Sequence, residues 1–298
     1  MSNSTYILLP IRPTYNSKSR TFVYRYIKTY RLNRFFVVPL PHMNLELHDL
    51  YIGYNEDASR HVVAEALNAS LTGGTMTCLV GANGVGKSTL MRTLSGFQPA
   101  LGGEVRIDGR ELDSYTPREL SERVGVVLTE RTTTPDLTVE EVVAIGRMPY
   151  TNFWGTLSKE DHRAVDEAIR LVGIESLHHK KIGCVSDGER QKAMIAKALA
   201  QQTGVILLDE PTAFLDYGSK VAVMRLLHRL AHDEDKAILL STHDLEIAFQ
   251  TADEVWILQR DGLQTGTLDA LEQRGAISSF LATSGLRYEA DSKRIVIV

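Results

Sequence analysis

Short apolar runs separated by amphipathic stretches follow one another from about residue 44 onward, and this pattern predicts an α/β fold. Four runs have the length and the leucine and β-branched content of buried parallel strands, and they surround Cys78, Val126, Ile206 and Leu239. Residues 45–72 and the segment GEVRIDG predict an antiparallel edge subdomain. We therefore expect a mostly parallel sheet wrapped by helices, with a second, smaller sheet at its edge.

Two further regions have a distinct pattern. The segments TVEEVVAIGR and DHRAVDEAIRLVG have the spacing of amphipathic helices, which predicts a helical subdomain over about residues 135–200. Residues 254–268 predict a hairpin around Asp261 and Gly262, and the final segment RYEADSKRIVIV predicts a second hairpin, a short structural tail over residues 285–298. No apolar run approaches the roughly 18 residues that span a bilayer.

The formal net charge of −4 divides unevenly along the chain. Residues 1–42 hold seven Lys and Arg residues and no acid, so this segment carries +7 and the remainder −11. The segment lacks the apolar region of a secretory signal. We expect a disordered leader, or a non-native extension upstream of a natural start at Met43; an arm that contacts anionic lipid or a partner is the alternative. The acidic body argues against a general nucleic-acid binder.

The segment GANGVGKST carries the strongest chemical signal, because it follows a buried strand pattern and opens a helical one. Gly81, Gly84 and Gly86 allow backbone N–H groups to converge on an anion, and the helix N-terminus adds partial positive charge. Lys87 would reach the β- and γ-phosphates and Ser88 would ligate Mg²⁺. The neighbouring residues Asn83 and Thr89 complete the predicted nucleotide-binding set. The loop predicts binding of ATP or GTP.

Two later strands end in residues that suit nucleotide hydrolysis. The apolar run at residues 205–208 ends in Asp209 and Glu210, and the run AILLSTHD delivers His243 at the corresponding end of the next strand. Side chains at the carboxyl ends of parallel strands point toward a bound ligand. We expect Asp209 to hold Mg²⁺ through water, Glu210 to act as general base, and His243 to sense the γ-phosphate.

A second anion site is predicted between these strands and the phosphate loop. In CVSDGERQKAMIAKALAQ, Ser186 and Gly188 precede or open a helix, so the start of this helix also suits a phosphate group. One nucleotide needs one phosphate loop. The second site should therefore serve the nucleotide of a partner subunit.

Taken together, these motifs resemble those of the ATP-binding cassette (ABC) ATPases, and the resemblance covers roughly residues 45–270. GANGVGKST resembles the Walker A motif, VILLDEP the Walker B motif, VSDGERQ the LSGGQ signature, AFLD the D-loop and STHD the switch histidine. The resemblance implies a P-loop NTPase with a RecA-like core, and an ABC ATPase domain over residues 43–284. LTVEEVVAIGRMPY and TLSKEDHRAVDEAIRLVGI resemble the subfamily that drives import of iron–siderophore, haem and cobalamin complexes.

Two positions depart from the family motifs, and a third, the aromatic residue that stacks on the adenine, is not fixed by a motif. Thr129 stands where family members carry a glutamine that touches Mg²⁺, and Glu130 follows it, so either side chain could take this role. Asp187 replaces the first glycine of the signature, and we expect it to cap the helix rather than face a phosphate. Family members stack the adenine on an aromatic side chain in the first strands. Spacing favours Tyr54, and a tyrosine on an exposed hairpin is the alternative.

The function implied by the resemblance is ATP hydrolysis by a head-to-tail homodimer that drives a membrane permease. Such a subunit would be peripheral at the cytoplasmic face of the membrane, with an extracytoplasmic substrate-binding protein as an indirect partner. The two cysteines give no disulfide framework and fit a reducing compartment. The alternatives are a soluble mechanoenzyme of the same family acting on ribosomes or DNA, an exporter ATPase, and a regulatory module with weak hydrolysis.

Overall fold

Two sheets share one chain over most of its length. The computed structural model describes residues 44–56, 59–128, 135–282, 285–289 and 294–297. An antiparallel sheet has the order β2-β1-β4-β5, built from β1 (Asn44–Glu56), β2 (Ser59–Thr72), β4 (Gly102–Ile107) and β5 (Arg110–Glu111). The main sheet has the order β10-β9-β3-β8-β7-β6, built from β3 (Met76–Val80), β6 (Val124–Val127), β7 (Val205–Leu208), β8 (Ala237–Ser241), β9 (Glu254–Gln259) and β10 (Gly262–Gly266).

The main sheet is parallel except at one edge. Strands β6, β7, β8, β3 and β9 run parallel to one another, whereas β10 pairs antiparallel with β9 in the predicted hairpin. Strands β3, β7 and β8 are buried at every position, because both faces of the sheet are covered. The predicted fold class, with its parallel core and antiparallel edge subdomain, is confirmed.

Helices follow most strands of the main sheet. They are α1 (Lys87–Leu94), α2 (Pro117–Ser121), α3 (Val139–Ala144), α4 (Lys159–Val172), α5 (Asp187–Ala200), α6 (Tyr217–Asp233), α7 (Leu245–Thr251), α8 (Leu268–Gln273) and α9 (Ala276–Ala282). Short 3-10 helices span Leu112–Ser114, Ile145–Tyr150, Glu175–Leu177 and Ile182–Cys184. Among the described ranges, none of these helices is both long enough and apolar enough to cross a bilayer.

Alternate residues of each parallel strand serve two separate hydrophobic clusters. On one face, Leu79, Leu207 and Leu239 pack with the antiparallel sheet and α1. On the other face, Cys78 and Leu208 pack with the helices from α3 onward. Burial raises the pKa of the Cys78 thiol, and the negative charge of Asp253 adds to this shift, so Cys78 acts as the small core residue that its strand predicts.

The helical region differs from its predicted form at one helix. The segment TVEEVVAIGR was expected to be a single helix, but α3 ends at Ala144 and the chain continues as the 3-10 helix Ile145–Tyr150, which contains Pro149. A proline interrupts an α-helix because it lacks the N–H and its ring clashes with the preceding turn. Helix α4 covers its predicted segment as far as Val172, and Gly173, which is left-handed with φ of 70°, is its C-cap.

A buried arginine ties this region to α5. The Arg147 guanidinium lies over the Tyr150 ring at 4.0 Å, and its Nε donates to Asp161 Oδ1 at 2.8 Å. Its Nη1 donates to the Ala200 carbonyl at 2.7 Å and to Gln202 Oε1 at 2.8 Å. These bonds connect the 3-10 helix to the start of α4 and the end of α5, so Arg147 fixes three elements of the helical region.

The final segment forms the predicted hairpin, β11 (Leu286–Glu289) and β12 (Arg294–Ile297). Tyr288 is buried in the helical cluster, and its ring meets that of Phe249 edge-on with centroids 5.8 Å apart. The hairpin therefore packs against the core through Tyr288. The predicted leader over residues 1–42 lies outside the described residues.

Candidate nucleotide site

The phosphate loop joins β3 to α1 and is shaped by glycine. Gly86 has φ of 113°, and a Cβ there would lie 2.5 Å from Val63 Cγ1. At Gly81, a Cβ would lie 2.5 Å from the Leu258 carbonyl oxygen. Both values are shorter than carbon contacts allow, so the close approach of the loop to its neighbours requires glycine at these two positions.

Lys87 binds its own loop. Its Nζ donates to the Gly81 carbonyl at 2.9 Å and to the Ala82 carbonyl at 3.1 Å. Burial lowers the pKa of Lys87, while the negative charges of Glu210 and Asp209 act in the opposite direction. The ammonium group therefore lies against the carbonyl oxygens of its own loop.

The predicted carboxylates lie beside this loop at the carboxyl edge of the parallel sheet. Ser88 Oγ donates to Asp209 Oδ1 at 3.4 Å, which joins α1 to the end of β7. The Ser241 hydroxyl donates to Asp209 Oδ1 at 2.7 Å and accepts from the Glu210 N–H at 2.9 Å. His243 Nε2 lies 2.6 Å from Glu210 Oε1. The structure thus brings Lys87, Ser88, Asp209, Glu210 and His243 together at one edge.

Tyr54 lies on β1 next to the start of α1. Its hydroxyl is hydrogen-bonded to Thr89 Oγ1 at 2.8 Å, and 38% of the residue remains exposed. The ring is therefore fixed at its hydroxyl end and accessible to solvent beside the phosphate loop. Asn83 and Gly84 are also exposed at the tip of this loop.

The second predicted anion site begins α5 and differs from the expectation in one respect. Ser186, not Asp187, is the N-cap: its hydroxyl accepts from the Glu189 N–H at 3.3 Å, and Glu189 accepts in return from the Ser186 N–H at 2.8 Å. Asp187 is the first helical residue and pairs with Arg190 at 2.6 Å. The capping role predicted for Asp187 is wrong, because the serine before it has the extended conformation that a cap requires.

Comparisons with known proteins assign the family. The profile of the family described as ABC transporter matches residues 64–213. An uncharacterized ABC transporter ATP-binding protein of Methanocaldococcus jannaschii is 40% identical over 215 residues, which cover 72% of this chain and 73% of that protein. This chain belongs to the ABC transporter family. The comparisons confirm two predictions, membership of this family and an ATPase activity that is coupled to transport.

Two further similarities concern this cassette's relatives. The ferric enterobactin transport ATP-binding protein of Escherichia coli is 37% identical over 213 residues, covering 72% of this chain and 77% of that protein. The dimeric structure of a post-hydrolysis state of an ATP-binding cassette bound to ADP and phosphate is 25% identical, with a TM-score of 0.63. That similarity covers 75% of this chain and 98% of the other.

One residue of the site was not predicted from the sequence, and one predicted residue is outside the described part of the chain. Ser241 was not predicted, although its hydroxyl joins Asp209 and Glu210, because a serine at the end of an apolar strand has no pattern of its own. Thr129, together with Glu130, lies outside the described residues. The predicted Mg²⁺ contact of Thr129 therefore stays a prediction.

Proposed function

We propose that this chain is the ATP-hydrolysing subunit of an ABC importer that takes up a metal chelate of the iron–siderophore, haem or cobalamin type. The observation that carries the hydrolytic part is the convergence of Lys87, Asp209, Glu210 and His243 at one edge of the parallel sheet. The class of cargo is supported by the 37% identity to a ferric enterobactin transport protein.

The nucleotide would lie across the phosphate loop. Its β- and γ-phosphates would contact Lys87, which must leave the carbonyls of its own loop to reach them, and the N–H groups between Gly81 and Gly86. The adenine would stack on Tyr54, whose ring is oriented by the bond to Thr89. Stacking alone reads few features of a base, so discrimination between ATP and GTP should be modest.

The residues at the loop also fit a magnesium ion. Ser88 Oγ and Asp209 Oδ1 are hard oxygen donors on two different elements only 3.4 Å apart, and Ser241 orients the carboxylate. Ser88 would bind the ion directly and Asp209 through water. When bound, Mg²⁺ neutralises phosphate charge as it develops.

Hydrolysis would depend on Glu210 as general base. The bond between its N–H and Ser241 fixes the backbone, and His243 Nε2 at 2.6 Å holds the carboxylate. Glu210 would accept a proton from the attacking water, and His243 would turn from the carboxylate to contact the γ-phosphate when a nucleotide is bound. His243 would thus link the presence of the γ-phosphate to the orientation of the base.

The second anion site would act in a head-to-tail homodimer. Each ATP would lie between Lys87 of one subunit and Ser186 and Gly188 of the other. A dimer is supported by the solved relative, which is dimeric with ADP and phosphate bound. The Ser186 hydroxyl donates a hydrogen bond to Glu189 Oε2 at 2.9 Å. This bond must break before the hydroxyl can donate to a phosphate. The bond from Arg190 to Asp187 would offset part of the repulsion between that carboxylate and the partner's nucleotide.

The helical region would carry the contact with a membrane permease. Phe153 and Trp154 are 94% and 84% exposed and meet edge-on at 5.5 Å, in the segment between the 3-10 helix Ile145–Tyr150 and α4. Large exposed aromatic side chains in one place are typical of an interaction site. The subunit would then sit at the cytoplasmic face of the membrane, and an extracytoplasmic binding protein would deliver the cargo to the permease.

The experiment combines a trapped variant with recovery of the partner. Glu210→Gln should keep ATP affinity, lower turnover by at least about 100-fold, and accumulate as a dimer in light scattering with ATP. Glu246→Gln, an exposed carboxylate in α7, is the control. Near-normal turnover in Glu210→Gln would remove Glu210 from its role.

The importer assignment is tested on the same protein. Tagged wild-type protein is purified from gently solubilised native membranes, and its partners are identified by mass spectrometry. We expect a multi-helix permease, and membrane vesicles containing it should accumulate ferric siderophore only with ATP. Recovery of ribosomal or DNA-repair proteins without a permease would instead support the soluble mechanoenzyme.

A further inference from the structure

A histidine pair on α6 lies at the opposite end of β3 from the phosphate loop. His228 and His232 are one helical turn apart, and their rings stack with centroids 4.2 Å apart at 28°. Both Nε2 atoms face the same oxygen, Asp253 Oδ1, at 3.6 Å and 3.3 Å. Asp253 immediately precedes β9, so three side chains from two elements converge on one point.

Hydrogen bonds fix two of these groups in the orientation of ligands. His232 Nδ1 lies 2.8 Å from the His228 carbonyl oxygen, which can only accept, so the proton is on Nδ1. In the neutral ring the Nε2 lone pair then points at the carboxylate. Asp253 Oδ2 accepts from the Met76 N–H at 2.8 Å, which leaves Oδ1 directed at the histidines.

A lone pair facing a carboxylate is unfavourable unless a proton or a metal ion lies between them. The His232 Nε2 lone pair needs an electron-pair acceptor, and the Asp253 carboxylate needs a positive charge beside it. A cation held between the imidazoles and the carboxylate would satisfy both requirements.

We propose that His228, His232 and Asp253 form a binding site for a first-row transition-metal ion, with Zn²⁺ as the best match. Bond lengths to zinc in a tetrahedral site place neighbouring nitrogen and oxygen ligands about 3.3 Å apart. The distances from Asp253 Oδ1 to His232 Nε2 and His228 Nε2, 3.3 Å and 3.6 Å, agree with this separation between ligands. Imidazole ligands select zinc over magnesium or calcium.

The surroundings of the three ligands suit an exchangeable ion. The side chains of His228 and His232 are 44% and 42% exposed, which leaves an entry path and room for water as a fourth ligand. Because Asp253 also binds the Met76 N–H, the ion would join α6 to the first residues of β3 and β9. The site would therefore stabilise the fold at a distance from the nucleotide and take no part in hydrolysis.

A second cluster of similar composition serves as a matched control. Glu140, His178 and His179 also lie close together in the helical region. There, however, His178 Nε2 is engaged by Asp166 at 3.2 Å, and His179 is 84% exposed at the neighbouring position. The Nδ1 atoms of those two histidines lie 3.2 Å and 3.6 Å from Glu140 Oε2, so this cluster matches the α6 cluster in its distances to the carboxylate and differs from it in the high exposure of His179.

The test measures metal binding by full-length protein from which any affinity tag has been removed. Metal-stripped wild type, His228→Gln/His232→Gln and His178→Gln/His179→Gln are dialysed against Zn²⁺ at pH 7.5, and bound zinc is counted. We expect one equivalent at micromolar zinc in the wild type and the His178→Gln/His179→Gln variant. The α6 variant should lose that equivalent, with affinity reduced at least tenfold.

Two further readings decide the outcome. Co²⁺ should give the visible absorption of a four-coordinate ion in wild type, and zinc should raise the melting temperature of wild type but not of the α6 variant. Circular dichroism and basal ATPase activity of that variant should be unchanged, which excludes misfolding. Absence of bound zinc in the wild type, or its loss in His178→Gln/His179→Gln instead, would overturn the assignment.

Discussion

Replacing Arg147 by methionine should destabilise the cassette more than any ordinary surface substitution. Arg147 and Asp161 have side chains only 4% and 6% exposed, and methionine keeps the aliphatic stem while removing the guanidinium. The change leaves the Asp161 carboxylate buried without its charge partner. Breaking a buried pair in this way costs about 3–5 kcal/mol.

The local contacts place the expected cost at the lower end of that range. Asp161 Oδ2 still accepts from the Ser158 N–H at 2.8 Å and from its hydroxyl at 2.7 Å, so the carboxylate is not wholly unsatisfied. The carbonyl of Ala200 and the amide oxygen of Gln202 also lose their donor. We expect about 3 kcal/mol, which corresponds to a decrease in melting temperature of roughly 6–12 °C for a domain of this size.

The assay is a double-mutant cycle with urea unfolding as the readout. Arg147→Met, Asp161→Asn and the double variant are compared, and the double variant should recover roughly 2 kcal/mol of the summed losses because no unpaired charge remains. Arg170→Met is the control, since its pair with Glu167 has side chains 60% and 53% exposed and should cost less than about 1 kcal/mol. Equal losses in Arg147→Met and Arg170→Met would refute the reasoning.

Substitutions at three positions test the nucleotide site and the pH dependence of the same buried pair. Gly86→Ala should lower ATP affinity by more than tenfold in a fluorescent-nucleotide titration, because its Cβ would lie 2.5 Å from Val63 Cγ1 at φ of 113°; unchanged affinity would contradict this. Tyr54→Phe loses only the bond to Thr89 and should bind ATP nearly as well as wild type, whereas Tyr54→Ala should lose about 1–3 kcal/mol of binding free energy because the stacking surface for the adenine is removed. Burial raises the pKa of Asp161, but hydrogen bonds from Ser158 and Arg147 outweigh it and lower the pKa from 3.8 to about 2. Its contribution of about 2 kcal/mol to the free energy of unfolding is therefore present above pH 3.8 and lost as the pH falls through 2. The urea midpoint of Asp161→Asn, measured over the same pH range, should lack this pH-dependent decrease.

The parts of the fold carried by contiguous patterns could be predicted from the sequence. The parallel strands around Cys78 and Ile206 are continuous apolar runs, and Lys87 lies in a local motif whose strand, turn and helix succeed one another directly. Glu210 and His243 followed from their positions at strand ends, because parallel strands meet at one edge.

The parts that depend on distant contacts could not be predicted. The role of Ser241 requires the register of β7 against β8, which places its hydroxyl between Asp209 and Glu210. Arg147 was predicted only as part of an amphipathic helix and of a segment that carries the subfamily resemblance, and its three hydrogen-bond partners lie up to 55 residues away. The local pattern at Ser186 and Asp187 did not show which of the two would cap α5.

The backbone at Glu210 has an unusual conformation for a residue with a side chain. Glu210 has φ of 48°, a left-handed conformation that costs a residue with a Cβ about 1 kcal/mol or more relative to glycine. That turn directs the side chain toward His243 while its N–H is held by Ser241. Glycine would adopt this conformation without the steric cost of a Cβ, but it would carry no carboxylate. If Glu210 is the general base proposed above, the chain accepts a locally less stable turn in exchange for a carboxylate at this position.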